Sequence, residues 1–231
     1  MASLLVVNVI GMSDGIAWIG EHSNEDAKNG VPGMRGNTSL TAVRGAEVEE
    51  FLVRLGADRA QLRRRELYKD RGAVAAPPRI DLNHASRAMY GTYGEWLYVL
   101  EDGGMATWYA GYRRVAAMQP RTGEEVVCLT MNSWDPPKLI LHAPGDGRVW
   151  QAEFAEDTGR SSALDAALQA AGAVFPSVHE ATEDEVALYF EEHVDGLPTA
   201  VFTAVGKYAG LSIDQATVEA GDLPLAIFPS V

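Results

Sequence analysis

The apolar residues of this chain recur at two different periods, and the changes from one to the other mark out its elements. From Glu95 to Glu101, Trp96, Tyr98 and Leu100 fall on one face of an extended segment and Leu97 and Val99 on the other. A strand that is apolar or aromatic on both faces is expected to be central and covered on both sides. Asp102-Gly103-Gly104 then reads as a hairpin-type turn. Thr38 to Val43, Glu124 to Met131, Lys138 to His142 and Arg148 to Phe154 read as further strands, with Pro144-Gly145-Asp146-Gly147 as a tight turn. Near-adjacent strands joined by short turns predict an antiparallel meander rather than crossover units. The N-terminal S-L-L-V-V-N-V-I reads as one more buried strand.

Elsewhere the period is helical. S-D-G-I-A-W-I-G predicts a short helix capped by Ser13 or Asp14, with Ile16, Trp18 and Ile19 turned inward. Gly45 to Gly56 repeats Ala46, Val48, Phe51, Leu52 and Leu55 at helical spacing and stops at a glycine. Q-L-R-R-R-E-L-Y-K-D-R predicts a second helix with Leu62 on its apolar edge, and Thr107 to Met118 a third. Ser161 to Ala171 and Leu197 to Tyr208 carry apolar stripes, and L-S-I-D-Q-A-T-V-E-A reads as a last helix starting at Ser212. Thr182 to Val194 opens on a Thr182/Glu185 capping box and is expected to bury Val186, Leu188, Tyr189 and His193.

Together these elements predict one α+β domain over residues 1–231: a largely antiparallel sheet of about five to seven strands, with helices on one side and at the C-terminal end. The glycine-rich stretch 24–36 reads as a surface loop, and it lacks the Gly-Lys-Ser/Thr ending of a phosphate loop. Ala73 to Pro78 breaks the chain and is the best internal linker candidate. Met12 offers an alternative start that would make the first eleven residues an upstream extension.

Charge changes this picture more than composition does. The formal net charge is -13, which argues against nonspecific nucleic-acid binding and against an anionic membrane surface. Nine of the nineteen basic residues lie between Arg54 and Arg87, whereas from Asp146 onward fifteen acidic residues face three basic ones. The plainer reading is solubility with intramolecular pairing between the two regions, and the sharper one is an acidic face for a basic partner. No apolar run approaches the ~18 residues of a membrane span, and no basic region precedes the first apolar stretch, as a signal peptide would need. The single cysteine, Cys128, sits at an apolar strand position. It reads as a buried thiol in a reducing, cytoplasmic setting rather than as a nucleophile.

Candidate chemistry is sparse. The five histidines show neither H-x-x-x-H nor H-E-x-x-H spacing, and no G-x-S-x-G elbow occurs, so no catalytic residue, metal ligand or cofactor is assigned. His179-Glu180 with Glu183, and Glu191-Glu192-His193 with Asp195, read as solvated helix faces. Aromatic residues gather around the sheet: Tyr93, Trp96 and Trp108, with Trp134 and Asp135 in the proline-bounded loop N-S-W-D-P-P. They suit either core packing, a small-molecule pocket or a recognition surface.

The segments T-A-V-R-G-A-E-V-E-E-F-L-V-R-L-G-A-D, Y-G-E-W-L-Y-V-L-E-D-G-G, G-E-E-V-V-C-L-T-M-N and A-P-G-D-G-R-V-W-Q-A-E-F, with the alanine-rich helix that follows, resemble a family of uncharacterised actinobacterial domains. The likeness runs from about Leu40 to the C-terminus and leaves out residues 1–37 and the basic Arg59 to Arg71 segment. It implies an α+β domain and carries no catalytic residue across. Two functions fit the sequence. One is a non-catalytic protein-binding module, immunity-protein-like or adaptor-like, which meets a basic partner through Trp134, Asp135, Trp108, Tyr93, Trp96, Glu183, Asp184, Glu191 and Glu192. The other is a small-molecule or nucleotide binder, or an enzyme, with a dispersed site in an aromatic-lined cleft.

Overall fold

The computed structural model describes residues 15–22, 38–78, 80–81, 85–102, 120–130, 140–147, 151–152, 162–174, 182–193 and 196–229. Among the described residues, seven strands form one sheet: β1 (Thr38–Arg44), β2 (Ala85–Tyr93), β3 (Trp96–Asp102), β4 (Glu125–Thr130), β5 (Ile140–Ala143), β6 (Gln151–Ala152) and β7 (Leu225–Pro229). Their order is β6-β5-β4-β1-β3-β2-β7, and every pairing is antiparallel. The expected meander survives only in pieces. β4, β5 and β6 run as one, and β2 and β3 form a hairpin, but β1 lies between β3 and β4. Its first six residues are all buried, so it needs a neighbour on each edge and a cover on each face.

Two strands escape the sequence pattern. β2 contains Gly91, whose missing Cβ leaves the space that the Tyr98 ring occupies across the hairpin. The β2–β3 turn is Gly94-Glu95, flanked by the Tyr93↔Trp96 pair, and Gly94 takes the positive φ of 57° that a primed two-residue turn demands. β7 follows the last helix and pairs along β2 from Met89↔Leu225 to Ala85↔Pro229.

Helices cover both faces, not one as expected. On the first face lie α1 (Ala17–Glu21), α4 (Ala163–Ala170), α6 (Leu197–Ala209) and α7 (Gln215–Ala220), where Phe202, Val205 and Leu168 meet Leu40, Trp96, Tyr98, Leu100 and Leu129. On the second, α2 (Val48–Arg54) and α3 (Arg59–Arg64) set Phe51, Leu52 and Leu62 in one cluster with Val43, Leu97, Val99 and Val126. The physical cause is β3: Trp96, Tyr98 and Leu100 belong to one core and Leu97 and Val99 to the other, as its two apolar faces predicted. The remaining helix, α5 (Glu183–His193), packs Tyr189 against the first core.

Several boundaries move. α3 stops at Arg64 because Arg65 turns left-handed, with φ of 52°, and the chain goes on through a short 3-10 turn at Tyr68–Asp70. α7 is capped by Asp214, which accepts from Thr217 N–H, and not by Ser212. Ala73 to Pro78 is no linker: Val74 and the nearby Ile80 lie in the first core, and the strands on either side share the sheet. The capping box is present, with the Thr182 N–H donating to Glu185 and the Glu185 N–H to Thr182. Ser13, Asp14, the 24–36 stretch, the Gly103-Gly104 turn and the 107–118 helix lie outside the described residues.

Residues 15–22 contribute Ile16, Trp18 and Ile19 to the first core. The Trp18 indole N–H donates to the Ile213 carbonyl at 3.0 Å, and Ile16 and Ile19 are buried. α1 crosses α6 at Gly20, where an added Cβ would lie 2.5 Å from the Pro198 carbonyl carbon and oxygen. Backbone cannot yield there as a side-chain tip does. Gly20→Ala should therefore destabilise the protein by about 2–3 kcal/mol, a fall of roughly 4–12 °C in melting temperature, measured by thermal unfolding.

Candidate functional site

One end of the sheet carries a row of polar and aromatic residues on the first face. Register places Tyr93 opposite Trp96, Trp96 opposite Arg44, and Arg44 opposite Glu125. Side chains directly opposite on neighbouring strands share a face and touch. The Arg44 guanidinium lies over the Trp96 ring, 5.2 Å from its centroid, and reaches the Glu125 carboxylate. Cation–π contact and ion pair hold it from both sides while 48% of its side chain stays exposed.

Glu125 is the centre of this row. Its side chain is 3% exposed, yet three elements direct donors at it. Arg44 of β1 binds Oε2, the Tyr208 hydroxyl of α6 donates to Oε1, and His142 Nε2 of β5 lies 3.1 Å from Oε1. The His142 and Tyr208 rings stand edge to face, 5.8 Å apart. Burial pushes the Glu125 carboxyl up, but the hydrogen bonds from His142 and Tyr208 and the charges of Arg44 and His142 outweigh it. The carboxyl is held below its ordinary value of 4.5.

Glu124, the residue before β4, repeats the arrangement on the second face, where it meets Arg54 of α2. Both terminal nitrogens of Arg54 lie 2.8 Å from Glu124 Oε2, and the Arg121 N–H donates to the same oxygen. Arg54 itself lies over the Phe51 ring, at 5.1 Å. Cys128, buried next to Thr41 on this face, is pushed up to about 12 chiefly by burial, and its thiol stays protonated.

The described residues among those assigned from sequence differ in exposure. Trp96 is 5% exposed and belongs to the core, which removes it from any recognition surface or aromatic cleft. Tyr93, across the hairpin from it, is 46% exposed. Trp108, Trp134 and Asp135 lie outside the described residues. Glu183, Asp184, Glu191 and Glu192 are all exposed on α5. Leu188, expected inside, is 55% exposed among them.

Among the described residues, most ion pairs of the basic segment lie outside the acidic C-terminal part. Arg59 and Arg63 share Glu49, Arg64 pairs with Glu66, and Arg54 pairs with Glu124. Among the described residues, Lys69–Asp222 is the ion pair that ties the basic segment to the acidic C-terminal part. Arg59, Arg63 and Arg64 of the basic segment pair with acids close by in sequence, and Glu183, Asp184, Glu191 and Glu192 of α5 take part in no ion pair among the described residues. Also among the described residues, no group of three or more His, Cys, Asp or Glu side chains is placed to hold a metal, and no helix is long and apolar enough to cross a membrane.

Sequence reading missed Glu125, His142 and Tyr208, because their significance is a meeting of β4, β5 and α6. The one available signal is parity: His142 shares the face of Ile140 in β5, an inward position.

The geometry predicts a structural role that titration can read. Tyr208→Phe removes one donor from a buried carboxylate and should lower stability by about 1.5–3 kcal/mol near neutral pH. Because the Glu125 carboxyl is lowered in the folded state, its contribution is complete above the ordinary value of 4.5 and is lost as pH falls through the lower folded value. Glu125→Gln should thus be destabilised at neutral pH and lose less stability on acidification, followed by melting temperature against pH. The capping carboxylates Glu185 and Asp214 are also lowered, by hydrogen bonds from Thr182 and Thr217, and retain part of the acid limb in that variant.

Comparison of the chain with protein-family models, with curated proteins and with solved structures finds no match.

Proposed function

We propose that this protein is a non-catalytic binding module that meets a basic partner protein through the acidic surface of its C-terminal half, as an immunity-like or adaptor-like protein would. The observation that carries the reading is α5. Glu183, Asp184, Glu191 and Glu192 are exposed there and unpaired among the described residues, while Arg59, Arg63 and Arg64 are occupied by Glu49 and Glu66. A protein of net charge -13 in which Arg59, Arg63 and Arg64 are paired locally and the C-terminal part carries fifteen acidic residues against three basic ones concentrates its negative field on that part. Such a field raises association rates with cationic surfaces and is screened by salt over about 8–10 Å. The single buried thiol suits a reducing, cytoplasmic setting for this role.

The competing reading, a ligand site in an aromatic cleft, loses Trp96 to the core. The buried Glu125–His142–Tyr208 group also fits a structural role better, because it is closed over by α6.

The test is co-purification of the tagged protein at low and high salt, beside the variant Asp184→Lys/Glu191→Lys/Glu192→Lys. The expected result is a stoichiometric basic partner that the wild type loses at high salt and the variant never captures, with melting temperatures within about 6 °C of each other, since each of the three surface substitutions shifts stability by less than about 0.5 kcal/mol. Equal capture by both proteins would remove α5 from the interface. A wild type that carries nothing at either salt would redirect the search to small ligands.

A further inference from the structure

The exposed face of α5 is not purely acidic, and Leu188, the large apolar residue exposed on it among the described residues, narrows the kind of partner. Among the described residues three large hydrophobics are exposed: Tyr93, Val174 and Leu188. Two of them belong to this region. Tyr189, the residue after Leu188, donates its hydroxyl to the Val174 carbonyl, and so anchors α5 beside the end of the α4 segment. Tyr189 also packs against the first core. The helix is therefore held by its Tyr189 side, while Leu188, one position before it, is 55% exposed. Asp184, Leu188, Glu191 and Glu192 follow the i, i+4, i+7, i+8 spacing of one helix stripe, so Leu188 stands inside a ring of carboxylates.

We infer that α5 docks a cationic amphipathic segment of the partner, one that sets an apolar side chain on Leu188 and places lysines or arginines against Asp184, Glu191 and Glu192. This rests on the acidic-surface reading above and adds to it a division of labour. The carboxylates attract and orient, an effect that salt weakens. Leu188 is the contact that loses water, the part of an interface that governs dissociation. A purely hydrophilic polycation, which has nothing to set on Leu188, is a poorer occupant. Charge complementarity selects the basic rim, and the exposed leucine selects its apolar centre.

The test uses two synthetic peptides of equal length and charge against the full-length protein. One is a lysine/leucine sequence of helical amphipathic period, and the other has its leucines replaced by serine. Affinities are measured by titration calorimetry at low and moderate salt. The lysine/leucine peptide should bind roughly ten-fold or more tightly than its serine counterpart, the scale of burying one leucine. Leu188→Ser should erase that advantage and leave the serine peptide's affinity within about two-fold, as expected of a substitution that touches only the apolar contact. Glu191→Gln/Glu192→Gln should weaken both peptides and flatten their salt dependence. Because Leu188 is exposed, the serine variant should melt as the wild type does, which separates lost binding from lost folding. An advantage that persists in Leu188→Ser, or equal binding of the two peptides, overturns the apolar anchor and leaves the acidic-surface reading in place. Failure of both peptides to bind at low salt overturns the two together.

Discussion

Two strands that are apolar on both faces set the terms for everything else in this protein. β3 turns Trp96, Tyr98 and Leu100 to one side and Leu97 and Val99 to the other, and β1 beside it is buried along six of its seven residues. Each fully buried large side chain of this kind is stabilised by about 1.5–3 kcal/mol relative to exposure, so leaving either face open would forfeit several of them. A two-layer α+β arrangement cannot satisfy that demand. The third layer comes from α2 and α3, whose Phe51, Leu52 and Leu62 close the second face. The interior position of β1 and β3 in the sheet follows from the same cause.

A covered sheet makes its polar residues expensive, and consecutive glutamates at the entry to β4 handle this. Glu125 faces the first layer and Glu124 the second. Each is met by an arginine from the segment that leads into or forms the second-face cover: Arg44 at the end of β1, Arg54 at the end of α2. A buried carboxylate without donors would be costly, and one with three, from β1, β5 and α6, becomes a geometric constraint. It specifies where along α6 the tyrosine must stand. Through α6 it also positions α1, which packs against that helix at Gly20.

The same economy shapes the surface. Arg59, Arg63 and Arg64 find acids close by in sequence, Glu49 and Glu66, so these three pairs do not reach across to the C-terminal half. Exposed pairs of this kind contribute at most about 1 kcal/mol each, and their consequence is electrostatic rather than stabilising. They leave α5 as a helix attached by Tyr189, with carboxylates and Leu188 turned to solvent.

The sequence by itself determined the α+β class, the double-faced character of β3, the positions of β1, β4 and β5, the Thr182/Glu185 box, the α6 stripe and the buried state of Cys128. These are local properties: periods of two and 3.6, caps and turn residues act over a few positions. Only the tertiary structure decided which strands are neighbours, because strand order depends on contacts between distant segments that no local period encodes. It placed β1 between β3 and β4, recruited β2 and β7, and turned Ala73 to Pro78 into a connection within the fold. It likewise put Trp96 under Arg44, brought Glu125, His142 and Tyr208 together, and left Leu188 outside although its helical spacing marked it for burial. A side chain's pattern says which face it shares, and the packing of the whole chain decides whether that face is covered.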